Sequence, residues 1–109
     1  MIEKRQPYRN KKITQAAKGE PCLAEFPGCT GGGEDTAFRH LNEGWAGKGG
    51  SQKADDCAGF FGCQHCENLY AGLINRGWAV DEFKSDKWFY LLRAYYRTIR
   101  RLIDMGILK

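Results

Sequence analysis

Cys63-Gln64-His65-Cys66-Glu67 is the stretch whose reading decides the fold of this chain. Two cysteines separated by two residues can turn both sulfurs toward one point, which is how a zinc knuckle supplies half of a tetrahedral site. Cys22 and Cys29, on either side of the Pro27-Gly28 turn, offer the other half. Thiolates are the soft ligands zinc accepts, and a closed four-sulfur shell leaves no open position, so the role expected of Zn2+ here is structural. Its binding energy would help fold a small, glycine-rich core. The plainer alternative is a set of buried thiols without a metal. Cys57 is the spare, either a substitute ligand for Cys22 or Cys29 or simply a buried thiol.

Size makes such a staple useful. A chain of 109 residues forms one domain with a limited capacity to bury apolar area. Its 42% hydrophobic and 13% aromatic content excludes a disordered chain, while 14 glycines predict more loop than usual. No apolar run has the length of a membrane span, and no apolar segment follows the charged N-terminus as a secretory signal would, so the expected location is the cytoplasm. Five cysteines in a reducing compartment point to metal ligation rather than disulfides. The net charge is +4, and its placement matters more: Lys4, Arg5, Arg9, Lys11, Lys12 and Lys18 crowd the first eighteen residues against Glu3 alone. Such a tail suits a polyanion, and equally serves as a solvated tail.

Working outward along the chain, residues 1–10 read as a mobile basic arm. Lys11 to Lys18 holds good helix formers and ends at Gly19, a plausible left-handed stop. Pro21 to Phe26 is extended and leads into the Cys29 turn. Thr36-Ala37-Phe38-Arg39-His40-Leu41 fits a short strand, and Cys57-Ala58-Gly59-Phe60-Phe61 can pair with it as a hairpin. Between them lies a glycine-rich loop from Asn42 to Asp56, without expected regular structure, carrying Trp45, Lys48 and Lys53. A helix should open at the knuckle and run to about Arg76, stopped by Gly77. From Trp88 onward, Leu91, Leu92, Tyr95, Tyr96, Ile99, Leu102 and Ile103 recur at three- and four-residue steps, with Arg93, Arg97, Arg100 and Arg101 on the opposite face. This predicts one helix over about 82–105, N-capped by Asp81 and stopped by Gly106. Its apolar stripe reads as core or as a homodimer contact, and its arginine face as solvated or nucleic-acid-facing.

Two histidines are present. His65 lies inside the knuckle, where its ring would point away from the sulfurs, and it reads as a surface residue or a substituted ligand. His40 ends a strand beside the glycine-rich loop, where a neutral imidazole can act as a general base toward water, or can be a hydrogen-bonded strand-end histidine and nothing more. The glycine loop lacks the G-x-x-x-x-G-K-[ST] spacing, which excludes a nucleotide P-loop. Its Lys48 and Lys53 still suit a loop lying along a nucleic-acid backbone.

The order Cys22, Cys29, His40, glycine-rich loop, Lys53-Ala54-Asp55-Asp56 and Cys63-x-x-Cys66 resembles the HNH (ββα-metal) endonucleases, and more narrowly the small nucleases of lambdoid phages and prophages of the YbcO type. The resemblance runs from about Ile13 to Ala71. It implies an α+β fold: a small zinc-stabilised ββα-metal, HNH-like core over residues 11–77, with a short N-terminal helix and a long C-terminal amphipathic helix over 80–105. It also implies a catalytic Mg2+ or Mn2+ and DNA as substrate. Residue by residue, His40 matches the general base, and Asp56 the position that orients that histidine or supports the metal. Cys22, Cys29, Cys63 and Cys66 match the structural zinc ligands. Where the family typically has histidine directly after the second knuckle cysteine, this chain has Glu67, a hard carboxylate suited to Mg2+ or Mn2+. Lys11, Lys12, Arg39, Lys48 and Lys53 are the expected DNA contacts. The alternative is a non-catalytic zinc-stabilised DNA-binding module that has lost the nuclease metal site.

Overall fold

A computed structural model describes residues 6–49 and 52–108. In chain order the elements are α1 (Lys11–Ala16), β1 (Ala37–His40), a 3-10 turn at Gly44–Ala46, β2 (Gly59–Gly62), α2 (Gln64–Ala71), α3 (Trp78–Ser85) and α4 (Lys87–Asp104). The fold is α+β, as expected, with a two-stranded antiparallel sheet in which Ala37 pairs with Gly62 and His40 with Gly59.

The sequence Gly59-Phe60-Phe61-Gly62 makes β2 the centre of the molecule. Successive side chains on a strand point to opposite faces, so Phe60 joins Phe26, Leu69, Val80, Phe83 and Leu91 on one side, while Phe61 joins Ile13, Ala17 and Leu102 on the other. Phe26 is the hinge of the larger cluster, its ring 4.7 Å from Phe83 and 5.4 Å from Phe60. The edge of β2 away from β1 is also satisfied. Leu23 N–H donates to Phe61 O, and Phe61 N–H donates to the hydroxyl of Thr98, both at 2.9 Å. A fully buried threonine on α4 thus does the work of a missing third strand.

Asn10 caps α1, its side-chain oxygen accepting from Lys12 N–H, and the chain leaves the helix through Gly19 at φ 77°. Of the segment read as an arm, residues 1–5 lie outside the described residues. Residues 8–10 are held against the glycine-rich loop: Tyr8 N–H donates to Asp55, Asn10 N–H to Asp56, and Arg9 to the carbonyls of Lys53 and Ala54.

Three expectations about the second half need correction. The knuckle helix does not reach Arg76. It ends at Ala71, because Gly72 adopts φ 81° and its N–H, with that of Leu73, turns back to the last helical carbonyls. The C-terminal helix is two helices. Asp86 leaves the helical region at φ −147°, ψ 43°, and Asp81 is a first-turn residue of α3 rather than a cap. That break brings Val80 and Phe83 of α3 and Leu91 of α4 onto the same core.

The stripe of α4 also differs. Its buried seam is Leu91, Ala94, Thr98 and Leu102, whereas Leu92, Tyr96 and Ile103 are exposed. Small residues at 94 and 98 let the helix approach β2 closely, and the larger apolar residues are displaced to its flank. The glycine-rich loop, expected to lack structure, is folded upon itself: Asp55 N–H donates to Ala46 O, Gly49 and Gln52 form a bridge, and Ala46 and Ala54 are buried.

Candidate active site and cysteine centre

The four cysteines expected to act together do meet. Cys22 and Cys29 come from the loop before β1, Cys63 immediately follows β2, and Cys66 lies in the first turn of α2. Their sulfurs all lie within 4.8 Å of one another, with Cys22–Cys66 at 3.7 Å and Cys29–Cys63 at 3.9 Å. A tetrahedral zinc with Zn–S bonds of about 2.3 Å has sulfur–sulfur edges of about 3.8 Å. The cluster therefore has the size and the donor set of a structural zinc centre. Backbone donors already converge on it, Cys63 N–H onto the Cys22 sulfur at 3.2 Å and Gly31 N–H onto that of Cys29 at 3.3 Å. The hydrogen bond between Cys22 and Cys66 holds Cys22 well below the usual thiol range and, with burial, pushes Cys66 up. A divalent cation would be the charge that all four sulfurs share. Cys57 is exposed and apart from the cluster, so neither reading of it as a substitute ligand nor as a buried thiol holds.

The cysteine loop is clamped from two sides. Gly32 is required where the loop crosses Cys22: φ is 75°, and a Cβ there would collide with the backbone nitrogen of Cys22. Glu25, at φ 48°, is the one described non-glycine residue in the left-handed region. Its carbonyl accepts from Arg93 at 2.8 Å and its carboxylate from Arg97 at 2.7 Å, while Arg101 pairs with Glu20 at 2.6 Å. These arginines of α4 tie the cysteine loop to the helix, a structural role that the reading of a solvated or nucleic-acid-facing surface did not contain. His65, whose ring nitrogen lies 2.8 Å from Pro27 O, braces the same loop from α2.

The second constellation lies where β1, β2 and α2 meet as a ββα unit. His40 ends β1, and its Nε2 lies 2.8 Å from Asp56 Oδ1. The other Asp56 oxygen accepts from Asn10 N–H at 2.7 Å, and Arg9 stands 3.8 Å away. Burial opposes ionisation of Asp56, but the hydrogen bonds from His40 and Asn10 and the charges of His40 and Arg9 outweigh it and hold its pKa below the ordinary carboxylate value. Both oxygens of Asp56 are thus engaged, one by His40 and the other by Asn10.

His40 opens onto a cleft of about 320 Å³, whose lining includes Lys48, Lys53, Glu67 and Tyr70. Burial raises the pKa of Glu67, opposed by the positive potential of Arg39 and His40. Glu67 lines the same cleft as His40, and a divalent ion held by this carboxylate together with water and substrate oxygens would fit the preference of Mg2+ for one or two protein carboxylates. Among the described residues the cysteine centre is the only group of three or more metal-ligating side chains, so no preformed multidentate cage exists in the cleft.

Of the expected DNA contacts, Lys48 and Lys53 line the cleft. Lys11 and Lys12 are exposed on α1. Arg39 is committed to backbone carbonyls, those of Gly62 at 2.9 Å and Asp35 at 2.8 Å, and reaches the site through its charge. Arg9, read only as one charge of the basic arm, ties the N-terminal segment over Asp56, and two residues of this region went unread in the sequence: Asn10 and Tyr70. The last had a signal, since Glu67 and Tyr70 are three apart on α2 and therefore share a face. Its hydroxyl donates to Glu43 at 2.9 Å and accepts from Asn42 N–H at 2.8 Å, fixing the chain that follows His40.

No helix of the described chain is long and apolar enough to cross a membrane. No curated protein and no solved structure is significantly similar to the chain. A family model does match it, over residues 11–107, a span that takes in the cysteine centre, the His40 cleft and α4 alike. This chain therefore belongs to the family described as "Putative nuclease YbcO".

Proposed function

We propose that the protein is an HNH-type endonuclease of phage or prophage origin that hydrolyses DNA phosphodiester bonds with Mg2+ or Mn2+, in the cytoplasm of a bacterial host. The observation that carries this reading is the 2.8 Å contact between His40 Nε2 and Asp56 at the mouth of a cleft that also holds Glu67. When His40 donates its Nε2–H to the carboxylate, its Nδ1 keeps a lone pair and can take the proton of an attacking water. Asp56 fixes that tautomer and steadies the imidazolium that follows. Lys48 and Lys53 supply positive charge to the phosphate. A divalent cation at Glu67 would supply Lewis-acid stabilisation of charge on the phosphate and the leaving oxygen. The cysteine centre, with zinc, holds β2 and α2 so that His40 and Glu67 face one another.

Purified protein supplied with Mg2+ or Mn2+ is expected to nick plasmid DNA. His40→Ala should lower the nicking rate about 10²- to 10⁴-fold while the domain stays cooperatively folded, and undiminished nicking would overturn the assignment. Glu67→Gln should raise the concentration of Mg2+ or Mn2+ needed for half-maximal cleavage. Salt-dependent DNA binding with no cleavage under either metal would instead favour the non-catalytic DNA-binding module.

A further inference from the structure

Beside the His40 cleft runs a second cavity of about 410 Å³, walled by Trp45, Trp88 and Tyr95 over a floor of Leu41, Ala58 and Leu91. We propose that this groove receives an unstacked nucleobase next to the phosphodiester bound in the cleft, so that the substrate is a single-stranded or locally opened DNA. The inference rests on the nuclease reading above and extends it to substrate structure.

Continuity between the two cavities supports it. Leu41 lines both, and the chain that follows it divides them, Asn42 facing the cleft and Glu43 the groove. Tyr70 pins that partition from the cleft side through both residues. Above it, the Lys87 ammonium lies 5.7 Å from the Tyr70 ring and 4.8 Å from the Trp88 ring, placing a cation where a backbone passing from cleft to groove would run. The cavities also differ in charge. Lys48 and Lys53 face the cleft beside Glu67, whereas the one charged residue lining the groove is Glu43, whose carboxylate repels phosphate and can accept an exocyclic base amine. Trp45 and Trp88 are 69% and 57% exposed, so their rings are offered to a ligand rather than used by the core. Flat aromatic surface beside a cationic track is the combination that holds single strands, because every base has a stackable face.

The test measures binding by the zinc-loaded protein without Mg2+ or Mn2+, using a fluorescent 12-nucleotide single strand and an equally long strand of abasic sites. Trp88→Ala and Trp45→Ala are each expected to weaken binding of the normal strand about tenfold, to leave the abasic strand unaffected, and to be rescued by Phe at the same position. Unchanged affinity for the normal strand, or equal loss on both strands, would overturn the proposal. So would sedimentation showing that the wild type self-associates and Trp88→Ala does not, which would give the groove to a second copy. Because no cleavage is scored, the two readings fail separately: base-dependent binding with no nicking under any metal defeats the nuclease reading alone, and nicking that requires His40 with tryptophan-independent binding defeats the groove alone.

Discussion

The cysteine centre and the His40 cleft lie at opposite ends of β2 and share the first turn of α2, yet they are built on opposite principles. The centre is closed: soft sulfurs, three of them buried, meet backbone donors and leave no room for substrate. The cleft is open: a histidine, a carboxylate and two lysines face a cavity with ligand positions to spare. A structural metal needs saturation, because its binding energy is folding energy. A catalytic site needs vacancy, because substrate and water must complete it. One short helix serves both, with Cys66 turned inward and Glu67, about 100° further round, turned to the cleft.

The largest effect should come from breaking the closed end. Cys66→Ser, or removal of metal by a chelator, is expected to abolish cooperative unfolding, since structural zinc contributes on the order of 10 kcal/mol in small domains. Circular dichroism during chelation, with elemental analysis giving about one zinc per chain, checks this; a metal-free protein with an unchanged melt would remove the centre. Breaking the open end should leave the domain folded. His40→Ala is expected to lower the cleavage rate about 10²- to 10⁴-fold, read by single-turnover nicking, with a stability loss of no more than about 1–3 kcal/mol from the lost contact to Asp56.

A subtler contrast concerns Asp56, which pairs with the cleft's His40 but is buried like the centre. Asp56→Asn should cost about 1–3 kcal/mol at neutral pH, the scale of an impaired buried hydrogen-bonded group. Because the folded state depresses the pKa of Asp56, its contribution is fully present above the ordinary carboxylate pKa of about 3.9 and disappears as pH falls through the lower folded value. Urea melts from pH 7 downward should therefore show the gap between wild type and variant closing in acid, and a gap independent of pH would break the His40–Asp56 assignment. The smallest effect is expected at Arg97→Ala. Its pair with Glu25 is largely exposed, so the loss should stay below about 1 kcal/mol. A larger loss would show that the cysteine loop depends on its arginine clamp as much as on metal.

The two sites were unequally legible in the sequence. Cysteine spacing reports directly on ligation, because sulfurs two residues apart can converge locally and zinc tolerates few other donors. His40 was legible as a strand-end histidine beside a glycine-rich loop, and Asp56 only through family resemblance. Asp55 and Asp56 look alike in the chain. The fold separates them, giving the Tyr8 amide to Asp55 and the His40 ring to Asp56. On α4 the periodicity located a helix but misjudged its inner face, since two of the residues that pack there, Ala94 and Thr98, are inconspicuous by hydrophobicity.

By itself the sequence determined what depends on local geometry and ligand chemistry: the paired cysteines, the hairpin around Phe60 and Phe61, and the helices stopped at Gly19 and Gly106. Tertiary structure alone decided which surfaces are inside and which charges are committed. Arg93, Arg97 and Arg101 fasten the cysteine loop, Thr98 completes the edge of β2, and Glu67 meets His40 across a cleft. Each of these unites residues at least 27 positions apart in the chain, where no periodicity or propensity reaches and only packing around β2 selects the partner.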